Sequence, residues 1–148
     1  MTARFGAIPA PTDRFVAGIG FASAASTGEI IALIRACLTE LNLHPSQLAA
    51  IGTHMRKATS PLLLPVALYF AVPMRLLDDA DLSGDVPGVA DAVAAMAGPV
   101  RLHKRKSDYA TCAISDCAPG FSVASFGQPV SANASIAPST LLTSSAGP

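Results

Sequence analysis

Four cations stand within six residues at Arg101, Lys104, Arg105 and Lys106, between two strand-like apolar runs. A hairpin that concentrates them makes them repel one another, so an anion would relieve the cluster. A second group, His54, Arg56 and Lys57, follows an apolar run at 49–53 and precedes a helix start. Cations at that place pair with a carboxylate ligand or simply stay solvated. The third feature is Gly18-Ile-Gly20. Its missing side chains allow close approach to the backbone, and the helix N-terminus that follows favours an anion. It is not a dinucleotide fingerprint, because the third glycine is missing and no acidic residue closes the second strand. A plain tight turn is the other reading of this loop.

The usual sets for covalent or metal-assisted catalysis do not occur in the sequence: there is no Gly-x-Ser-x-Gly elbow and no His-Glu-x-x-His pair. His54 is the histidine best placed to act as an acid or base. His44, in a helix-to-turn link, and His103, beside the lysines, are poorer candidates, and a solvated histidine on the surface is the plainer identity of all three. Asp78, Asp79, Asp81 and Asp85 have the wrong spacing for a calcium loop. Cys37, Cys112 and Cys117 are odd in number and lack Cys-x-x-Cys spacing, so neither a zinc site nor a disulfide framework is expected. The expectation is no metal and no cofactor.

The chain that must position these groups has 148 residues, 51% of them hydrophobic and 14% charged, with formal net charge zero. That suits one domain with a real core and argues against a general nucleic-acid binder, which shows a broad basic surface. Neutrality hides an asymmetry: residues 78–91 carry five aspartates and no cation, opposite in sign to 101–106. The two patches pair internally, stay solvated, or mark separate ligand and partner surfaces. The longest uncharged run, Ala58 to Met74, is interrupted by Pro61, Pro65 and Pro73 and falls short of the roughly 20 residues of a membrane span. Arg14 with the apolar residues to Ala24 imitates a secretory signal, but Gly18 and Gly20 break it and cleavage would remove the first strand. A cytoplasmic protein is expected.

Residues 1–14 read as an N-terminal arm. A buried strand over 15–21 is followed by Ser26-Thr-Gly-Glu29, the spacing of a capping box in which Ser26 takes the Glu29 N–H and Glu29 reaches back to that of Ser26. The helix after it carries Ile30, Ile31, Ile34, Leu38 and Leu41 on one face and stops at Asn42. A turn at 45–48 and a strand at 49–53 come next. Ser60-Pro61 then starts a helix to about Ala71, with Pro65 tolerated near its first turn. This helix is apolar nearly all round, so burial or a cover is expected. A strand at 72–77, an Ala-rich helix at 86–96, and strands at 100–103 and 109–115 complete the pattern. The order predicts a three-layer α/β/α sandwich with a mostly parallel mixed sheet of about five strands. Residues 116–148, rich in Ala, Ser and Pro, read as a loosely ordered tail with one short strand near Phe121–Phe126.

From about 16 to 115 the sequence resembles the CobE and CbiG C-terminal-domain family of cobalamin (vitamin B12) biosynthesis. The resemblance is carried by Gly18-Ile-Gly20, Ile51-Gly-Thr53 with Lys57, and Val72-Pro-Met-Arg-Leu76. It continues through Gly88-Val-Ala-Asp-Ala92 and Lys104-Arg-Lys106 with Ala110-Thr-Cys-Ala-Ile114. Each segment is short, and their order and spacing together make the case. There are departures. Phe21-Ala-Ser-Ala-Ala25 replaces the family's cysteine and basic residues, Ser60 stands at a commonly acidic position, and Ala90-Asp91-Ala92 replaces Cys-Glu-Ala.

The resemblance implies an α/β/α domain over 15–115 that binds or carries a precorrin or corrinoid intermediate, or assists another enzyme of the cobalamin pathway. Such tetrapyrroles bear a rim of carboxylates around a broad apolar ring. The residues it implicates in binding are Gly18, Gly20, His54, Arg56, Lys57, Asp91, Lys104, Arg105 and Lys106, provided the second loop and the hairpin converge. The alternative is hydrolysis of the lactone of (cobalt-)precorrin-5A with release of acetaldehyde, with His54 and Asp91 as acid–base candidates. A more remote reading is a non-enzymatic module whose basic hairpin docks on an acidic partner protein. Tetrapyrrole carboxylates and pathway enzymes are thus the implied partners, with neither nucleic acid nor membrane among them.

Overall fold

The computed structural model describes residues 14–82 and 88–130. The expected arm (Arg14 apart), Asp85 and the tail beyond Val130 lie outside the described residues. Six strands form one sheet: β1 (Phe15–Phe21), β2 (Leu48–His54), β3 (Met74–Leu77), β4 (Val100–Lys106), β5 (Ala110–Asp116) and β6 (Gln128–Pro129). Their spatial order is β4-β5-β1-β2-β3-β6. The first three are parallel, while β5, β4 and β6 run antiparallel to their neighbours. The expected sandwich is the observed fold, with six strands where about five were anticipated.

Helices α1 (Thr27–Glu40) and α2 (Leu63–Phe70) cover one face, and α3 (Val89–Ala97) the other. On the first face Ile19, Ile51 and Ile114 meet Ile30, Ile34 and Val66, all essentially inaccessible. Each such side chain contributes about 1.5–3 kcal/mol on burial. On the second face α3 lies very close to β1. A Cβ on Gly18 would overlap the Ala90 carbonyl oxygen and come within 2.8 Å of the Ala94 nitrogen. Only glycine lets this helix settle there, and Ala90, Ala94 and Ala113 keep the same contact thin.

Local chemistry sets the ends. The Ser26 hydroxyl accepts the Glu29 N–H at 3.1 Å, as the capping spacing predicts, an interaction worth about 1 kcal/mol. The Glu29 carboxylate turns chiefly away from the cap: it accepts from the Ser107 hydroxyl and, at 2.7 Å, from the Tyr109 N–H. It therefore ties α1 to the β4–β5 turn. Asn42 ends α1 in the left-handed region, φ 58°. Ser60 accepts the Leu62 N–H at 3.2 Å before α2, and Pro65 falls in its first turn. One face of α2 is buried through Leu63, Val66 and Phe70, but Leu68, 77% exposed, and Tyr69, 52%, look outward. Among the described residues the expected cover is not found.

Two expectations need correction. The first part of the supposed loose tail is packed. Arg75 donates to the carbonyls of Phe126 (2.8 Å), Gly127 (2.9 Å) and Ala124 (3.2 Å). Phe126, 3% exposed, fills the space above Gly52, where a Cβ would stand 3.0 Å from its ring. The short strand is Gln128–Pro129 rather than near Phe121–Phe126, where the chain makes a 3-10 turn at Val123–Ser125. Second, β4 continues through the basic segment to Lys106 instead of stopping at His103. It is an edge strand, and long cationic side chains are at home on such an edge.

Candidate functional site

Parallel β1, β2 and β3 end on one edge of the sheet, and their following loops gather there. The β4–β5 turn reaches the same edge because β5 pairs antiparallel with β1, setting Ala110 against Phe21 and Thr111 against Gly20. Between these loops and the start of α3 opens a cleft of about 420 Å³. Gly20, Phe21, Arg56, Lys104, Lys106 and Tyr109 are in its wall, together with the acid Asp108. A second cleft of about 340 Å³ adjoins it, sharing Phe21, Ala22 and Arg56 and adding Lys57 and Ser60.

The residues expected from the sequence divide among several roles. Gly18 lies beneath α3 and serves its packing, as above. Gly20 is at the cleft, where a Cβ would stand 2.9 Å from the Thr111 hydroxyl. Arg56 and Lys57 ride on the 3-10 turn Met55–Lys57 that continues β2. The Lys57 ammonium sits 4.9 Å from the ring centroid of Phe21, which lines both clefts, a cation–π contact. His54 caps that turn: its Nδ1 accepts the Arg56 N–H at 3.0 Å, and its Nε2 is 2.7 Å from Asp79 Oδ1. The accepted bond assigns the proton to Nε2, which donates to Asp79. The His54 bond, foremost, holds the Asp79 carboxyl below its ordinary range.

The cationic cluster is split. Arg105 binds Glu40 of α1 through Nε at 3.1 Å and Nη2 at 2.6 Å. Arg101 meets Asp116 at 3.0 Å at the other end of the strand. Lys104 and Lys106 instead line the cleft, and the Lys104 Nζ lies 3.2 Å from where a Gly88 Cβ would be. Among the described residues neither these lysines nor Arg56 or Lys57 has a carboxylate within 4.0 Å. Asp91 is 3% exposed and accepts the backbone N–H of Lys104 at 2.9 Å. Loop two and the hairpin thus bring Arg56, Lys104 and Lys106 together, with Lys57 next door, while Arg105 faces away.

Sequence reading missed Phe21 and Tyr109 as the apolar part of the wall, and Gly88 as the seat of Lys104. The signal for Gly88 was present: Pro87-Gly88 before a helical run marks a turn. The acidic segment folds on itself, Asp78 and Asp81 each accepting the other's N–H at 3.0 Å. Among the described residues no group of three or more His, Cys, Asp and Glu side chains is placed to hold a metal ion. No helix among them is long and apolar enough to cross a membrane.

Residues 15–115 match the family model described as cobalamin synthesis G C-terminus. No curated protein matches the chain. Solved structures share the fold, among them two from cobalamin biosynthesis. One is CobE, a protein from the cobalamin (vitamin B12) biosynthetic pathway, at 24% identity and a TM-score of 0.62 over 74% of this chain and 98% of that one. The other is the cobalamin biosynthesis protein chiG from Agrobacterium tumefaciens str. C58, at 22% identity and a TM-score of 0.55 over 68% and 95%.

Proposed function

The chain belongs to the cobalamin synthesis G C-terminus family, and on that premise we propose that its cleft binds or carries a precorrin or corrinoid intermediate by the carboxylates of its rim. The observation that carries the reading is the convergence of Arg56, Lys104 and Lys106, without ion-pair partners among the described residues, on a wall that includes Phe21 and Tyr109. An apolar ring lies against the aromatic and small side chains, and its acetate and propionate groups reach the cations. Each charge-assisted hydrogen bond contributes about 1.5–3 kcal/mol where partly shielded, and far less in open solvent. The α3 N-terminus beside Lys104 adds a favourable dipole for the same anion.

Binding is favoured over lactone hydrolysis by the state of the two acid–base candidates. His54 has both ring nitrogens engaged, and Asp91 is buried against the β4 backbone. Neither presents a free group to the cleft. The test is titration of the protein with cobyrinic acid, a corrinoid with free rim carboxylates, followed by absorbance and gel filtration. Co-elution and a dissociation constant that rises with salt are expected. A flat titration with no retained pigment would sink the binding role.

A further inference from the structure

We infer that Asp91 is a positioning residue of the cleft: its buried carboxylate holds the backbone of the β-bulge at His103-Lys104 and so fixes Lys104, beside Lys106, in the cleft. The inference rests on the binding role just proposed for those lysines.

Register carries the first step. Leu102 pairs with Ile114, and Arg105 with Cys112, so β4 spends two residues, His103 and Lys104, where β5 spends only Ala113. Two residues opposite one is a bulge, which breaks the alternation of side chains along the strand. Burial and bonding on both sides agree. Leu102 is buried in the core beneath α1 and α2, and Arg105 reaches Glu40 of α1, so both face α1. Lys104 lies against Gly88 at the start of α3, and Lys106 lines the cleft. Alternation back from the pairs Lys106–Thr111 and Arg105–Cys112 puts Lys104 on the same face as Lys106, that of α3, and the inserted residue returns Leu102 to the α1 face. The extra residue thus interrupts the ladder at the backbone of Lys104, beside the cleft.

A bulge leaves backbone groups without ladder partners, and a buried N–H left so is costly. Here the Lys104 N–H donates to Asp91 Oδ1 at 2.9 Å, and the same oxygen lies 3.8 Å from His103 Nδ1. Asp91 is in the first turn of α3, where an acid is ordinary because it favours the helix dipole. Its assigned bond nevertheless goes to β4, to the residue whose side chain enters the cleft. This joins the start of α3 to the strand that supplies two of the cations. The carboxylate acts through Lys104 and does not itself meet the ligand.

The experiment compares Asp91→Ala, Asp91→Asn, Lys104→Ala and the double variant Asp91→Ala/Lys104→Ala. Without any ligand, NMR should show a contact between the Lys104 side chain and the Gly88 α-protons in the wild type. Asp91→Ala should lose it and exchange the Lys104 amide about tenfold faster or more. Asp91→Asn, whose amide oxygen still accepts, should keep both. With cobyrinic acid, Asp91→Ala should bind about as weakly as Lys104→Ala and with the same flattened salt dependence, and the double variant no more weakly than Lys104→Ala. A merely stabilising Asp91 would lower the melting temperature and leave both the contact and the salt dependence in place. A folded Asp91→Ala protein that keeps the contact overturns the inference. If that variant does not fold, Asp91→Asn decides: weakening the acceptor must move the Lys104 amide proton upfield, and an unmoved resonance overturns it equally. A wild type that shows the contact yet ignores cobyrinic acid sinks the binding role alone, and the ligand-free arm still decides the positioning.

Discussion

On one face of the β4–β5 hairpin Arg105 grips Glu40 at 2.6 Å, whereas on the other Lys104 and Lys106 line an open cleft with no carboxylate in reach among the described residues. Four cations crowded in six residues look like one patch in the sequence. In the fold they become two populations with different physics. Arg101 and Arg105 are neutralised by Asp116 and Glu40 and help fix the hairpin to its neighbours. The two lysines line the cleft without a carboxylate partner among the described residues. Charge density along a chain therefore overstates a site, because strand alternation decides which half is presented.

The sharpest way to break this contrast is to remove each half in turn. Lys104→Ala/Lys106→Ala should weaken cobyrinic acid binding by about tenfold or more and flatten its salt dependence, with little change in melting temperature. No intramolecular ion pair of theirs is lost among the described residues. Isothermal titration at two salt concentrations reads the effect. Unchanged affinity in the folded variant would remove the lysine face from any account of binding.

Gly88→Ala should act next most strongly, now on stability as well. Gly88 sits at φ 80°, ψ 158°, a region essentially closed to side chains, so the substitution should cost about 1–3 kcal/mol. The new Cβ would also stand 3.2 Å from the Lys104 Nζ and displace it. Chemical denaturation and the binding titration should therefore both move. A stable Gly88→Ala protein with native affinity would show that Lys104 is not seated there.

The sequence was legible where structure is local. Apolar periodicity marked the helices and most strands, Ser26 and Asn42 marked the limits of α1, and the glycines and cations marked the loops around the cleft. What it did not disclose depends on distant partners. Residues 117–130 looked too polar to pack, but three carbonyls from that stretch meet Arg75 and one aromatic ring fits over Gly52. The bulge in β4 exists only as a register against β5, whereas Lys104, Arg105 and Lys106 fall on alternate faces by spacing alone once the strand runs to Lys106. His54 suggested acid–base chemistry by its type and is used to cap a turn. Asp91 suggested the same and is used to hold a strand.

A smaller, pH-dependent effect belongs to the acid that joins the hairpin tip to α1. The Ser107 hydroxyl first, then the Tyr109 N–H, hold the Glu29 carboxyl below its ordinary value of 4.5. A depressed carboxyl stabilises the fold above its unfolded value, and the benefit is lost as pH falls through the lower folded value. Glu29→Gln should accordingly melt below the wild type at neutral pH, and the gap should close as the solution is acidified past 4.5. A gap that stays constant across thermal melts in that window would mean the bonds do not depend on the charge.

Arg105→Ala should have the smallest effect, and it is the control on which the contrast depends. Its bond holds the Glu40 carboxyl below the ordinary range, yet both side chains are nearly half exposed, so solvent screens the pair. A slight fall in melting temperature that vanishes in high salt is expected, with no change in cobyrinic acid affinity because Arg105 faces α1. If Arg105→Ala weakens binding as much as Lys104→Ala, the two faces of the hairpin are not functionally distinct. The cations would then act through their summed long-range field, and neither the bulge nor Asp91 would matter to recognition.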